Sequence, residues 1–138
     1  MEQLAVEIVG LCREYGECRV EVERMEEVRR VKNALESVCV VARRKLDISD
    51  PALLLALLDA YEVTRDEGML QEVLDVVGRN LDRLAVSAES VKLLAYCYYY
   101  VEEEECVERA GRMLEELRKM GRGEEELADV ETILEELT

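Results

Sequence analysis

Apolar residues recur along this chain at three- and four-residue intervals, the spacing that places them on one face of an α-helix. Leu4, Ile8, Leu11 and Tyr15 form a first stripe, with Ala5 and Cys12 beside it, and predict a helix over residues 2–15 that Gly16 stops. Cys18–Val22 alternates like a strand, but no partner strand is in sight, so it reads as the start of the next helix. From Met25 a seam of Val28, Val31, Leu35, Val38 and Ala42 predicts a long, coiled-coil-like helix to about Leu46. The run Val38–Ala42 is apolar all round the helix, so either the core surrounds it or a partner covers it. Asp50-Pro51 is the firmest boundary, because Asp caps helix N-termini and Pro is preorganised for the first helical position. A helix to about Arg65 follows, and then one from about Gly68 to Leu84 with Leu70, Val73, Val77 and Leu81 on its inner stripe. Ser87 caps a further helix to about Val101. An acidic turn at Glu102–Glu105 leads into a helix to about Met120. After the break at Gly121-Arg122-Gly123, Glu124–Leu137 carries Leu127, Val130, Ile133, Leu134 and Leu137 on one side. The expectation is an all-α fold of about seven helices in one domain, 1–138. It comprises an N-terminal helix pair over 1–49, two stacked helical hairpins over 50–121 and a terminal helix over 122–138.

The two hairpins echo each other at an offset of 37 residues. Leu57 falls on Leu94, Tyr61 on Tyr98 and Glu67 on Glu104, and twelve apolar positions coincide, among them Leu54/Val91, Ala60/Cys97, Met69/Cys106 and Val73/Ala110. Self-similarity at this period marks stacked supersecondary units that bury their cores against neighbours. Leu94, Ala95 and Tyr98, followed by Ala110, Leu114 and Leu117, give the second hairpin a pattern that resembles tetratricopeptide repeats. In the first, Leu57 and Tyr61 fit, while Leu58 and Val73 replace small residues of the motif, and its closing Pro is absent from both. The resemblance covers residues 50–121 and implies a concave, peptide-binding surface. An irregular helical bundle is the other architecture the pattern allows.

Composition then narrows the function. The chain has 138 residues, 49% apolar, enough for a real core without disulfide or metal support. It is 37% charged and has only four Asn and Gln in all, together with one Pro. Such a mixture is usual in heat-adapted proteins and points to a thermophile, an archaeon being the leading candidate. The net charge is −15, and residues 87–138 hold 15 acids against 6 bases. So negative a surface disfavours direct nucleic-acid binding. The one basic run, Arg43-Arg44-Lys45, suits the last turn of a helix, where cations complement the dipole. The apolar run Ala52–Leu58 is too short to span a bilayer, and no segment resembles a signal peptide, so the expected location is cytoplasmic, away from membranes.

Histidine is absent, which removes the commonest general base and metal ligand. No phosphate-binding or dinucleotide-binding Gly pattern occurs. The five cysteines, at 12, 18, 39, 97 and 106, include no pair at the spacing of common zinc or redox motifs. They read as buried thiols, with Cys12/Cys18 and Cys97/Cys106 as the conceivable disulfides. No catalytic, metal or cofactor site is therefore expected, and the expected protein is no enzyme. The most suggestive cluster is Tyr96, Tyr98, Tyr99 and Tyr100. Consecutive helical residues step about 100° around the axis, so not all of these rings face one core. Tyr96, Tyr99 and Tyr100 share one strip, beside Glu102, Glu103, Glu104 and Glu105, and are the expected partner-binding residues. The chain reads as an adaptor or small subunit of a larger assembly that takes a basic or amphipathic segment of a protein partner. The alternative is an acidic regulator or nucleic-acid mimic that occupies a basic surface on its partner. The seam Val28, Val31, Leu35, Val38 and Ala42 is the expected self-association surface of a possible homodimer.

Overall fold

The computed structural model describes residues 2–19, 24–121 and 124–137, and among them every regular element is helical. The helices are α1 (Glu2–Cys18), α2 (Met25–Arg43), α3 (Pro51–Thr64), α4 (Glu67–Arg79), α5 (Ala88–Val101), α6 (Glu104–Lys119) and α7 (Glu124–Leu137), with a 3₁₀ turn at Leu81–Arg83. The described residues thus form an all-α fold with seven α-helices, as the apolar spacing predicts. The chain divides into two compact units, Met1–Asp75 and Val76–Thr138, and α4 runs through the division.

In the first unit α1, α2 and α3 each pack against the other two. Ile8, Leu35, Leu53, Leu54 and Leu57 lie at its centre, each no more than 1% exposed. In the second unit α5, α6 and α7 likewise pack in all three pairings, around Leu93, Leu94, Met113, Leu117 and Val130. Burying each of these side chains contributes roughly 1.5–3 kcal/mol, so a few of them in each unit outweigh any single surface contact.

α3 and α5 share several local features. α3 and α5 are both 14 residues long and begin 37 residues apart. Asp50 caps α3 by accepting from Leu53 N, and Ser87 caps α5 by accepting from Ser90 N. Both helices end on a residue in the left-handed conformation, Arg65 (φ 54°, ψ 30°) and Glu102 (φ 52°, ψ 32°). In each case that residue's N–H donates to the carbonyl of the tyrosine four residues before it, Tyr61 and Tyr98. The buried positions also coincide: 53/90, 54/91, 56/93, 57/94, 58/95 and 60/97 within the first helices, then 69/106, 73/110 and 77/114 in the second.

Three helix C-termini differ from the sequence expectation. α1 continues through Gly16 to Cys18, because Cys18 is fully buried and Arg19 N still reaches Tyr15 O; one Gly costs a helix only about 1 kcal/mol, less than that burial returns. α2 stops at Arg43, where Arg44 and Lys45 N–H groups close the last turn on Val41 and Ala42 carbonyls. α4 stops at Arg79 instead of running to Leu84. Asn80 Nδ2 donates to Val76 O, and Arg109 takes the carbonyls of Leu81 and Leu84, so side-chain donors, one local and one distant, replace helical bonds there. Most of the alternating Cys18–Val22 segment lies outside the described residues.

Candidate functional site

The tyrosine cluster sits in the last turn and a half of α5. The residues beneath it, Leu93, Leu94, Ala95 and Cys97, are all buried, which fixes the helix rotation and leaves the opposite face outward. Tyr99 is the ring that emerges, 56% exposed, and Val101 beside it is 40% exposed. Tyr96 and Tyr100 are partly buried and hold interactions within the protein. Tyr100 meets Tyr99 edge to face, centroids 5.1 Å apart at 76°, which stiffens the exposed ring. Of the three tyrosines of the expected strip, Tyr99 is the accessible one, while Tyr96 and Tyr100 are partly buried.

Glu102, Glu103, Glu104 and Glu105 are all exposed directly beyond that ring. The turn is tighter than the sequence suggests: α6 already begins at Glu104, leaving Glu102 and Glu103 as the link. None of the four carboxylates enters an ion pair among the described residues. Cys97 and Cys106 lie under this turn, where burial pushes both thiols up, helped at Cys97 by Cys106 and then Glu103 and at Cys106 by Glu103 and then Glu105, so they stay protonated and pack as small apolar groups.

The proposed self-association seam is placed otherwise. Val31, Leu35 and Ala42 are buried in the first unit's own core, and Val28 and Val38 are half-buried. The seam is therefore occupied within the chain and offers no free stripe to a second copy. The outward apolar residues of α2 are Val40 and Val41, at 50% and 42%.

All five cysteines are free thiols. Cys12 and Cys18 lie on one continuous helix, six residues and so about 9 Å of rise apart, beyond disulfide reach. Burial raises Cys12 and Cys39 to about 11 each. Among the described residues no group of three acidic or thiol side chains is arranged to hold a metal ion, and no helix is long and apolar enough to cross a membrane.

One cluster escapes sequence reading. Arg43 makes a bidentate pair with Glu72 (2.9 and 2.7 Å) and also reaches Asp66 at 2.8 Å, tying the end of α2 to the start of α4. It borders a cavity of about 340 Å³ also lined by Glu36, Cys39, Val40, Thr64 and Met69. The partners are 23 and 29 residues away in the chain, and a last-turn Arg carries no local sign of such pairing. Comparison with protein-family profiles, with curated proteins and with solved structures finds no match to this chain.

Proposed function

We propose that this protein is a non-enzymatic interaction module, an adaptor or small subunit of a larger assembly, that receives a basic, amphipathic segment of a protein partner on α5 and the turn after it. The observation that carries this reading is the pairing of an outward Tyr99 ring, in edge contact with Tyr100, with four exposed carboxylates that no cation among the described residues neutralises. An aromatic anchor beside a charged rim is how interfaces divide affinity from steering. The resemblance of residues 50–121 to tetratricopeptide repeats, which bind peptides, supports the same reading.

The test is capture of the native partner by the purified chain. Tyr99→Ala should lower capture at least about tenfold, because a central interface tyrosine carries about 2 kcal/mol. Replacing Glu102–Glu105 with Gln should mainly slow association at low ionic strength. Equal capture by both variants and the parent would refute the assignment of this surface. The unpaired carboxylates also favour a second reading, an acidic regulator that blocks a basic surface. Under that reading the complex dissociates steeply with added salt and Tyr99→Ala has little effect.

A further inference from the structure

The 37-residue echo lets one copy of the helix turn be compared with the other. In the first copy the protein neutralises the turn itself. Arg65, on the left-handed position, lays its guanidinium 5.6 Å from the centre of the Tyr61 ring and reaches Glu62 at 3.4 Å. Asp66 caps α4 by accepting from Met69 N at 3.1 Å and receives Arg43 at 2.8 Å. Tyr61, covered in this way, is 7% exposed and donates its hydroxyl proton to Glu67 at 2.6 Å.

The second copy keeps the frame and lacks the cations. Tyr98 stands for Tyr61, Glu102 for Arg65, Glu103 for Asp66 and Glu104 for Glu67, and the left-handed backbone differs by only 2° in each dihedral, φ 52° and ψ 32° against 54° and 30°. Where the first copy has Glu62, the second has Tyr99, a further aromatic face. Glu103 makes no capping bond, so its carboxylate is left to solvent. The nearest arginine along α6, Arg109, is turned to the carbonyls of Leu81 and Leu84. Tyr98, without a lid, is only partly buried.

We infer that the α5–α6 turn receives an arginine side chain from the partner, which lies against Tyr98 and Tyr99 among Glu102, Glu103 and Glu104 as Arg65 lies against Tyr61 and Glu62 in the first copy. The inference rests on the interaction reading above and names the anchoring side chain. Arginine is preferred to lysine because a planar guanidinium stacks on a ring while its edge pairs with carboxylates, and an ammonium does only the second.

The probe is a fluorescein-labelled, end-blocked peptide of alternating leucine and arginine pairs, with counterparts in which lysine or uncharged citrulline replaces arginine. Binding to the full chain is read by fluorescence anisotropy at physiological salt. The citrulline peptide should bind at least about tenfold more weakly than the arginine peptide, and the lysine peptide several-fold more weakly. Glu102→Arg places the first copy's own arginine in the second copy and should weaken the arginine peptide at least about tenfold, with an unchanged circular dichroism spectrum. Glu108→Arg, the same change of charge at an exposed site on α6 beyond the turn, should cost less than about threefold. No binding of the arginine peptide, no discrimination against citrulline, or equal weakening by Glu102→Arg and Glu108→Arg would each overturn the inference. If Tyr99→Ala still lowers capture of the native partner in those cases, the interaction reading survives without the arginine anchor. If Tyr99→Ala leaves capture intact, that reading has failed on its own account.

Discussion

Arg24 and Glu27 show how much one well-placed pair changes at the scale of a residue. Two hydrogen bonds of 2.7 Å join them across one turn, and Arg24 holds the Glu27 carboxyl down at about 2. Carbon-detected NMR titration should place Glu27 at about 2 in the parent and return it toward 4.5 in Arg24→Gln. Because the folded value is lowered, the pair stabilises the fold above the ordinary glutamate range and loses that effect as pH falls toward 2. Arg43 acts over a longer distance. Its hydrogen bonds also hold Glu72 below the usual carboxylate range. Both its carboxylate partners are over two-fifths exposed, so solvent screening limits the network to about 1 kcal/mol. Arg43→Met should therefore lower stability by about 1 kcal/mol at pH 7. The deficit should shrink as pH drops below the ordinary glutamate value of 4.5, where Glu72 loses in the parent what the variant never had. Urea titrations at pH 7 and pH 3 measure both ends; an equal deficit at each would show that Arg43 acts through packing alone.

Among the elements, α1 and the end of α5 carry departures from ideal helix chemistry that substitution should relieve. Gly10 lies inside α1 with nothing within 4 Å of where a Cβ would stand. Gly10→Ala should stabilise the protein by roughly 0.5–1 kcal/mol in thermal unfolding, through a smaller backbone entropy loss. Glu102 holds the left-handed conformation without being glycine. Glu102→Gly should add about 1 kcal/mol of stability. If the turn is the arginine receptor, the same variant should bind the basic peptide less well, so stability and capture move in opposite directions. That opposition would explain a strained acid at a position where glycine folds better. The core works the other way: Leu57→Ala or Leu94→Ala, each removing a side chain no more than 1% exposed, should cost about 2–5 kcal/mol.

For the molecule as a whole, charge and composition set the expectations. A net charge of −15 repels other anions and other copies of the chain, and it draws in a basic partner from a distance. The association rate with the basic peptide should fall steeply between low and physiological salt while the dissociation rate changes little. Stopped-flow fluorescence separates the two, and a salt effect confined to dissociation would contradict steering. Few amides, one Pro and many carboxylates lead us to expect thermal unfolding above about 90 °C, the range of heat-adapted proteins. A midpoint in the ordinary mesophilic range would refute that reading of the composition.

The all-α class, the seven helices of the described residues and the caps of α3 and α5 were legible in the sequence, because apolar spacing, Asp50-Pro51 and Ser87 act within a few residues of themselves. That some ring of the tyrosine cluster is exposed also followed from sequence, since four aromatic residues in five positions of a helix exceed what one core face accepts, while the structure decided that it is Tyr99. Tertiary structure decided the rest. Gly16 did not stop α1, since Cys18 buries beyond it, and α4 ended early because Arg109 supplied partners from 28 and 25 residues away. Val31, Leu35 and Ala42 looked like a stripe for another chain until α1 and α3 were seen to pack on α2. An apolar stripe specifies that something covers it, and only the path of the chain through space specifies what. The same holds for charge: Asp66 and Glu103 are equivalent acids in sequence, and a distant Arg43 neutralises one while the other stays open.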